Sequence, residues 1–259
     1  MTATISPDRR APLRRDPPRR GPSRRALVCG APALLLAGCV QPSFHQRAQT
    51  LPRGQGGVLL MPPDIELSEV SAGGVLEPKA DWTQAAELHL GAALDQENRS
   101  RNLAMRRFRK DAVPSDRQNE LEQVQQLHGA VGRAVLRHHF QPGGQPLPTK
   151  QGKFDWTLGP AVRPLKQATG ADYALFVWVR DSYASAGRRA VQVLGTIAAA
   201  MVGVAMVIPG GQQVGFASLV DLGDGEIIWF NRLARTTGDL RTGEAAAETA
   251  RVLLTGFPT

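Results

Sequence analysis

The sequence predicts an α/β (α+β) fold: a single mixed β-sheet with helices packed on it, finished by a closing β-hairpin and a C-terminal helix. Three patterns predict it. Tyr173–Val179 is an unbroken aromatic and β-branched run of strand length. Val214–Val220 and Ile227–Leu233 flank Asp221-Leu222-Gly223-Asp224-Gly225, and Asp-Gly between apolar runs is a hairpin signal. Apolar residues at helical spacing fill the stretches before them, and helices intermixed with strands fit one sheet with helices on it. A composition of 42% hydrophobic and 21% charged residues is that of a globular chain.

The chain opens with a leader. Arg9, Arg10, Arg14, Arg15, Arg19, Arg20, Arg24 and Arg25 carry most of the formal charge of +8, so the rest is nearly neutral and nucleic acid is not an expected partner. An apolar run, Ala26–Gly38, follows this basic region and ends at Cys39; a basic segment, a short apolar core and small residues make a signal peptide. Leu36-Ala37-Gly38-Cys39 resembles the lipobox of bacterial lipoproteins. On that resemblance residues 1–38 are removed, the Cys39 thiol takes a diacylglycerol, and its freed amine takes a further acyl chain such as palmitate. Several chains anchor stably where one is marginal. Val40 stands where an aspartate would resemble an inner-membrane retention signal, which points to the outer membrane and its periplasmic face. Ser23-Arg24-Arg25 partly resembles a twin-arginine export signal but lacks the aromatic residue that follows the arginines. Cys29 and Cys39 are the only cysteines, so the body has neither a disulfide framework nor a cysteine zinc site.

Residues 39–57 read as the lipidated cysteine and a flexible tether, rich in Pro, Gly and polar residues, and 58–259 as one periplasmic α/β domain. Val58-Leu59-Leu60-Met61 is a buried strand stopped by Pro62-Pro63, with a second extended piece through Ile65, Leu67 and Val70. Asp81 is expected to cap a helix with Gln84 at its third position, carrying Ala85, Leu88, Ala92 and Leu94. Ser115–Phe140 is the longest helical pattern, with Leu121, Val124, Leu127, Val131 and Val135 on one stripe and Arg133 and Arg137 near its end. A loop to Pro160 and a short helix through Val162, Leu165 and Ala168 lead to the strand at Tyr173. Ala245–Leu254 closes the chain as an alanine-rich helix.

Several of these pieces together resemble a known group. They are the lipobox, Val58-Leu59-Leu60-Met61-Pro62-Pro63 after a tether, Gly170-Ala171-Asp172-Tyr173 entering a strand, Ser218-Leu219-Val220-Asp221-Leu222, and Gly225-Glu226-Ile227-Ile228-Trp229. The combination is similar to periplasm-facing lipoproteins that include the curli-secretion channel subunit and the penicillin-binding-protein activators, whose domain resembles the amino-terminal domain of TolB. The resemblance implies a mixed sheet with helices and an envelope location. It does not imply an activity, because its motifs are core strands and turns. The helical region at 81–140 and the apolar insertion at 191–208 depart from the group's simplest pattern.

Residues 193–208 carry no charge. As a helix they would be about 24 Å long, short of a hydrocarbon core of about 30 Å. Gly195, Ala199 and Gly203 fall on one helical face, where small residues let a second backbone approach. Three roles compete: a helix wholly buried in the domain, a face for self-association, and membrane contact. The run does not alternate as a membrane strand hairpin would.

No catalytic constellation stands out. Of His45, His89, His128, His138 and His139, none form a His-x-x-x-His or His-Glu-x-x-His pair, and no metal is expected. Ser182, Ser185 and Ser218 lack a Gly-x-Ser-x-Gly setting. No Gly-rich phosphate loop occurs, and Asp221–Gly225 lacks the later ligands of a calcium loop, so no cofactor is expected. Arg99, Arg101, Arg106, Arg107, Arg109 and Lys110 read first as a solvated connection between helices, and otherwise as a contact for lipid phosphates or an acidic partner. Arg180, Arg188 and Arg189 are expected beside the apolar stretch, facing headgroups. The function expected is a non-enzymatic interaction or assembly module, lipid-anchored in the outer membrane and working on an envelope protein partner. The alternatives are an oligomeric secretion or channel component, a homo-oligomer joined through 193–208, and, more weakly, an envelope hydrolase.

Overall fold

The described residues form eight strands and five α-helices. The strands are β1 (Phe44–Gln46), β2 (Val58–Leu60), β3 (Asp64–Val70), β4 (Leu76–Pro78), β5 (Met105–Arg107), β6 (Tyr173–Ala184), β7 (Gln213–Asp221) and β8 (Ile227–Arg235). The helices are α1 (Ala80–Ser100), α2 (Ser115–Val135), α3 (Arg163–Thr169), α4 (Ala186–Met201) and α5 (Gly243–Leu253). The computed structural model describes residues 44–46, 56–140, 146–201, 211–236 and 239–258. They lie in one compact unit, Gln41–Thr259, which holds the whole sheet and both of its cores.

The fold is the expected mixed sheet with packed helices, a closing hairpin and a C-terminal helix. Strand order is β1-β8-β7-β6-β2-β5, with β3 and β4 off this path. The twelve residues of β6 organise it. Its first part pairs in parallel with β2, Tyr173 opposite Val58, and its second part in parallel with β3, Trp178 opposite Asp64. Pro62 and Pro63 separate β2 from β3; proline has no N–H to give a ladder, so the strand steps out and resumes along the same edge. On its other side β6 pairs antiparallel with β7, and β7 with β8 through the Asp221–Gly225 turn.

Side-chain alternation divides the interior. Leu175, Val177 and Val179 of β6 face a core shared with α1 and α5, which includes Leu67, Leu90, Leu94, Trp229, Leu240 and Leu253. Ala174, Phe176 and Trp178 face the opposite core, with Phe216, Phe230, Val124 of α2 and Leu165 of α3. A strand buried on both faces is expected to be apolar at every position, as this run is.

The structure differs from the sequence reading at four places. Residues 44–46, assigned to the flexible tether, form β1, antiparallel to β8 with Phe44 opposite Asn231. The His45 ring stacks on Phe154 at 4.0 Å, which adds a side-chain contact to a very short ladder. Met105–Arg107, inside the basic stretch, forms β5 parallel to β2. Asp81 lies within the first turn of α1 rather than at its cap, because Lys79 N–H is already bonded to Leu67 O at 2.8 Å, and that bond fixes where the helix begins. The apolar stretch is not wholly buried: α4 starts at Ala186, and Val193 and Leu194 are 59% and 67% exposed. It leaves β6 beyond the last residue paired with β3, where no strand among the described residues covers it.

Candidate functional site

Strand directions bring several exposed features to one end of the sheet. β3 and β8 both run parallel to β6, so the C-terminal ends of all three strands lie together with the start of β7. The β3–β4 turn, Ser71–Val75, is at this end, held by Ser71 N–H on Val75 O at 2.9 Å. α4 starts here as well, with Gly187 against the Ala72 methyl and the Arg188 guanidinium against Gly74. Val75 and Leu76 at the turn, and Val191, Val193, Leu194 and Met201 on α4, all present apolar side chains to solvent.

A groove of about 520 Å³ opens at the same end, between the last turns of α2 and the strands β7 and β8. Arg133 comes from the last turn of α2, Arg137 from the π-helical turn Leu136–Phe140 that continues it, and Arg232 from β8. Leu136, Phe140, Val214, Leu233 and Ala234 complete it, and the described lining includes no carboxylate. Arg232 Nη1 donates to Phe140 O at 3.1 Å and its guanidinium lies over the Phe140 ring. Arg133 lies 5.7 Å from the Trp178 ring. The groove therefore presents positive charge on an apolar floor, which suits an anionic group carried on an apolar body.

A second crevice, of about 490 Å³, sits at the carboxyl ends of β2 and β5. The chain leaves β2 to reach β5 on one side and later returns to β6 on the other, and such reversals open crevices in parallel sheets. Leu60, Met61, Pro62, Leu94 and Phe108 make it apolar, with Asp64, Glu87 and Arg107 as charged members. Arg107 is bonded to Asp95 at 3.1 Å, so its charge is already answered.

Two polar clusters lie inside the protein. His128 Nε2 is 2.7 Å from Ser218 Oγ, and both side chains are buried. This resembles half of a nucleophilic dyad, but the imidazole stacks on Phe176 and lies tilted against Phe216, and its Nδ1 has no hydrogen-bond partner among the described residues. No described group orients the ring as a triad requires. Desolvation pushes its pKa down to about 3. The other cluster centres on Asp181, whose Oδ2 accepts from Tyr183 Oη, from Gln213 Nε2 at 2.8 Å and from Leu240 N at 3.3 Å. Burial pushes the Asp181 carboxyl up, and burial with the Asp181 hydrogen bond pushes the Tyr183 phenol up. Thr249 Oγ1 donates to Gln213 Oε1 at 3.2 Å, which ties α5 to the cluster. Both clusters join elements across the interior: His128, Ser218, Asp181 and Gln213 are buried, and Tyr183 is half-buried.

The residues singled out in the sequence are placed as follows. Cys39 and the lipobox residues Leu36, Ala37 and Gly38 lie outside the described residues, as does Gly203. Gly195 and Ala199 are within α4. Arg180 does not face outward: it pairs with Asp64 at 2.8 Å and lies over Trp178 at 4.4 Å. The basic stretch is largely answered by carboxylates, with Arg101 on Glu97 at 2.7 Å, Arg109 on Asp111 at 2.6 Å and Lys110 on Glu122 at 2.9 Å. It is a paired surface, not an open anion site. Sequence reasoning missed the arginine groove, although the pair Arg133 and Arg137 was visible as a helix-ending signal. Among the described residues no cluster of three or more His, Cys, Asp or Glu side chains could hold a metal ion. No helix among them is long and apolar enough to cross a membrane.

No protein-family model matches the chain, and no curated protein matches it. Among solved structures it is similar to the PelC dodecamer from Paraburkholderia phytofirmans, at 14% identity over 83% of this chain and 95% of that one, with a TM-score of 0.37. A methionine-for-leucine variant of that dodecamer matches at 14% identity over 83% and 98% of the two chains, with a TM-score of 0.34. Neither is named as a member of the curli-secretion or TolB-like group that the sequence motifs resemble. A likeness this distant leaves the functional argument with the chain's own residues.

Proposed function

We propose that the chain is an outer-membrane lipoprotein, anchored through Cys39, whose α/β body is a non-enzymatic interaction or assembly module on the periplasmic side of the envelope. The observation that carries this reading is β1. Phe44 is only five residues from Cys39, and an extended chain gains at most about 3.6 Å per residue. An acyl anchor on Cys39 would hold the edge of the sheet within about 18 Å of the lipid. This is a closely held body rather than one on a long tether. The burial of the His128–Ser218 pair and of the Asp181 carboxyl favours a module over a hydrolase, since none of the three is offered to solvent.

The test is acylation and partition of the full chain. Expressed in a bacterium fed a palmitate analogue, the protein is expected to take up the label and fractionate with outer membranes. Cys39→Ser is expected to lose the label and to stay unprocessed. Label retained in Cys39→Ser would overturn the reading. A second reading, an oligomeric secretion component, is favoured by the apolar side chains that α4 leaves uncovered. A discrete large assembly of the Gln41–Thr259 body in light scattering would support it.

A further inference from the structure

We propose that α4 and the β3–β4 turn, together with the arginine groove, form a second membrane contact: a docking surface for an anionic phospholipid bilayer, beside the lipid anchor. Singly exposed apolar residues need no explanation. Here six of the seven large apolar side chains that are exposed among the described residues lie on α4 and the β3–β4 connection, both of which begin at one end of the sheet. Val75 ends the turn and Leu76 opens β4, and Val191, Val193, Leu194 and Met201 are on α4. Grouped exposure of this kind marks an interaction site.

Charge and chain length together name the occupant. α4 carries Arg188 and Arg189 and no acidic residue, and the groove at the same end adds Arg133, Arg137 and Arg232. A basic, apolar surface suits lipid phosphates above acyl chains. The polarity of β1 puts Phe44, its residue nearest Cys39, toward the C-terminal end of β8, which is the end that carries Arg232. The sixteen residues of α4 span about 24 Å, too short to cross the bilayer, so the helix lies in its surface. The proposal rests on the anchored-lipoprotein reading only for which side of the body meets the membrane.

The test uses the unlipidated body, Gln41–Thr259, which contains the whole sheet and both cores and lacks the basic leader. It is floated with vesicles containing phosphatidylglycerol and, separately, with vesicles of phosphatidylcholine alone. Binding is expected to the anionic vesicles, weakened by high salt. The pair Val193→Glu with Leu194→Glu is expected to cut the bound fraction about ten-fold, and Arg137→Glu to cut it on anionic vesicles. Both α4 side chains are exposed, so the melting temperature is expected to hold. No flotation, or flotation indifferent to the α4 pair, would overturn the proposal. So would a discrete oligomer that the α4 pair dissolves, since that assigns the surface to a second copy of the chain. Acylation of Cys39 is read separately on the full chain: a labelled chain whose body fails to float refutes the docking alone, and an unlabelled chain whose body floats refutes the anchor alone.

Discussion

His128 makes the interior sensitive to acid. An unfolded histidine titrates near 6.5, whereas burial holds this one to about 3 in the folded protein. Between these values the unfolded chain binds a proton that the folded chain refuses, so stability falls as pH falls from about 6.5 toward about 3. The loss over that window is on the order of 4 kcal/mol. His139, held down by burial at the end of α2, acts in the same direction. Asp181 acts the other way: its raised carboxyl takes its proton more readily when folded, which adds stability as pH falls through that range. Denaturant midpoints between pH 7 and pH 4 test the balance. The wild-type midpoint is expected to fall, and the double variant His128→Leu with Ser218→Ala, which removes both members of the pair, to fall less. Parallel curves would sink the assignment to His128. The sequence offered five histidines and no means of ranking them. His128 stands out only once α2 lies across the aromatic side chains of β6 and β7, a placement that no local pattern encodes.

At the scale of elements, α2 approaches β7 through Gly132. A Cβ there would overlap the Phe216 ring, which is fully buried and stacked on Trp178 and Phe230. Alanine is the better helix former by about 1 kcal/mol, but overpacking a core of this kind costs about 1–3 kcal/mol. Gly132→Ala is therefore expected to lower the melting temperature, and an unchanged or higher value would show that α2 shifts freely over the sheet. Gly129→Ala, whose Cβ would come to 3.3 Å from Trp178, is expected to cost less. Legibility at this scale followed length and period. β6, the closing hairpin, α2 and α5 carry long runs or a turn with a specific chemistry, and all were readable. β1 and β5 have three residues each, too few to display a period, and Met105-Arg106-Arg107 has none of the usual residues of a strand. α4 was readable as helix and apolar, but the same residues suit a buried helix and an uncovered one. Only the end of the β3–β6 ladder decides between them.

At the scale of the whole molecule, β1 shields the outer edge of β8. A chain beginning at Gly56 would lose that ladder and the His45–Phe154 stack, leaving β8 an open edge. It is expected to melt a few degrees lower and to associate as its concentration rises, followed by calorimetry and light scattering. Equal melting and a monomer at all concentrations would mean that β1 adds nothing to the fold. The connection between β6 and β7 has a different bearing. These strands are antiparallel neighbours, and a two-residue turn could join such a pair. Residues 185–212 join them instead, α4 included. The entropy of closing a loop rises only with the logarithm of its length, about 0.6 kcal/mol per doubling, so replacing a two-residue turn with this connection costs the body roughly 2.3 kcal/mol. A sheet can thus acquire a new limb at a cost far smaller than the limb's length suggests, and lose it again, while its strands keep their pairing.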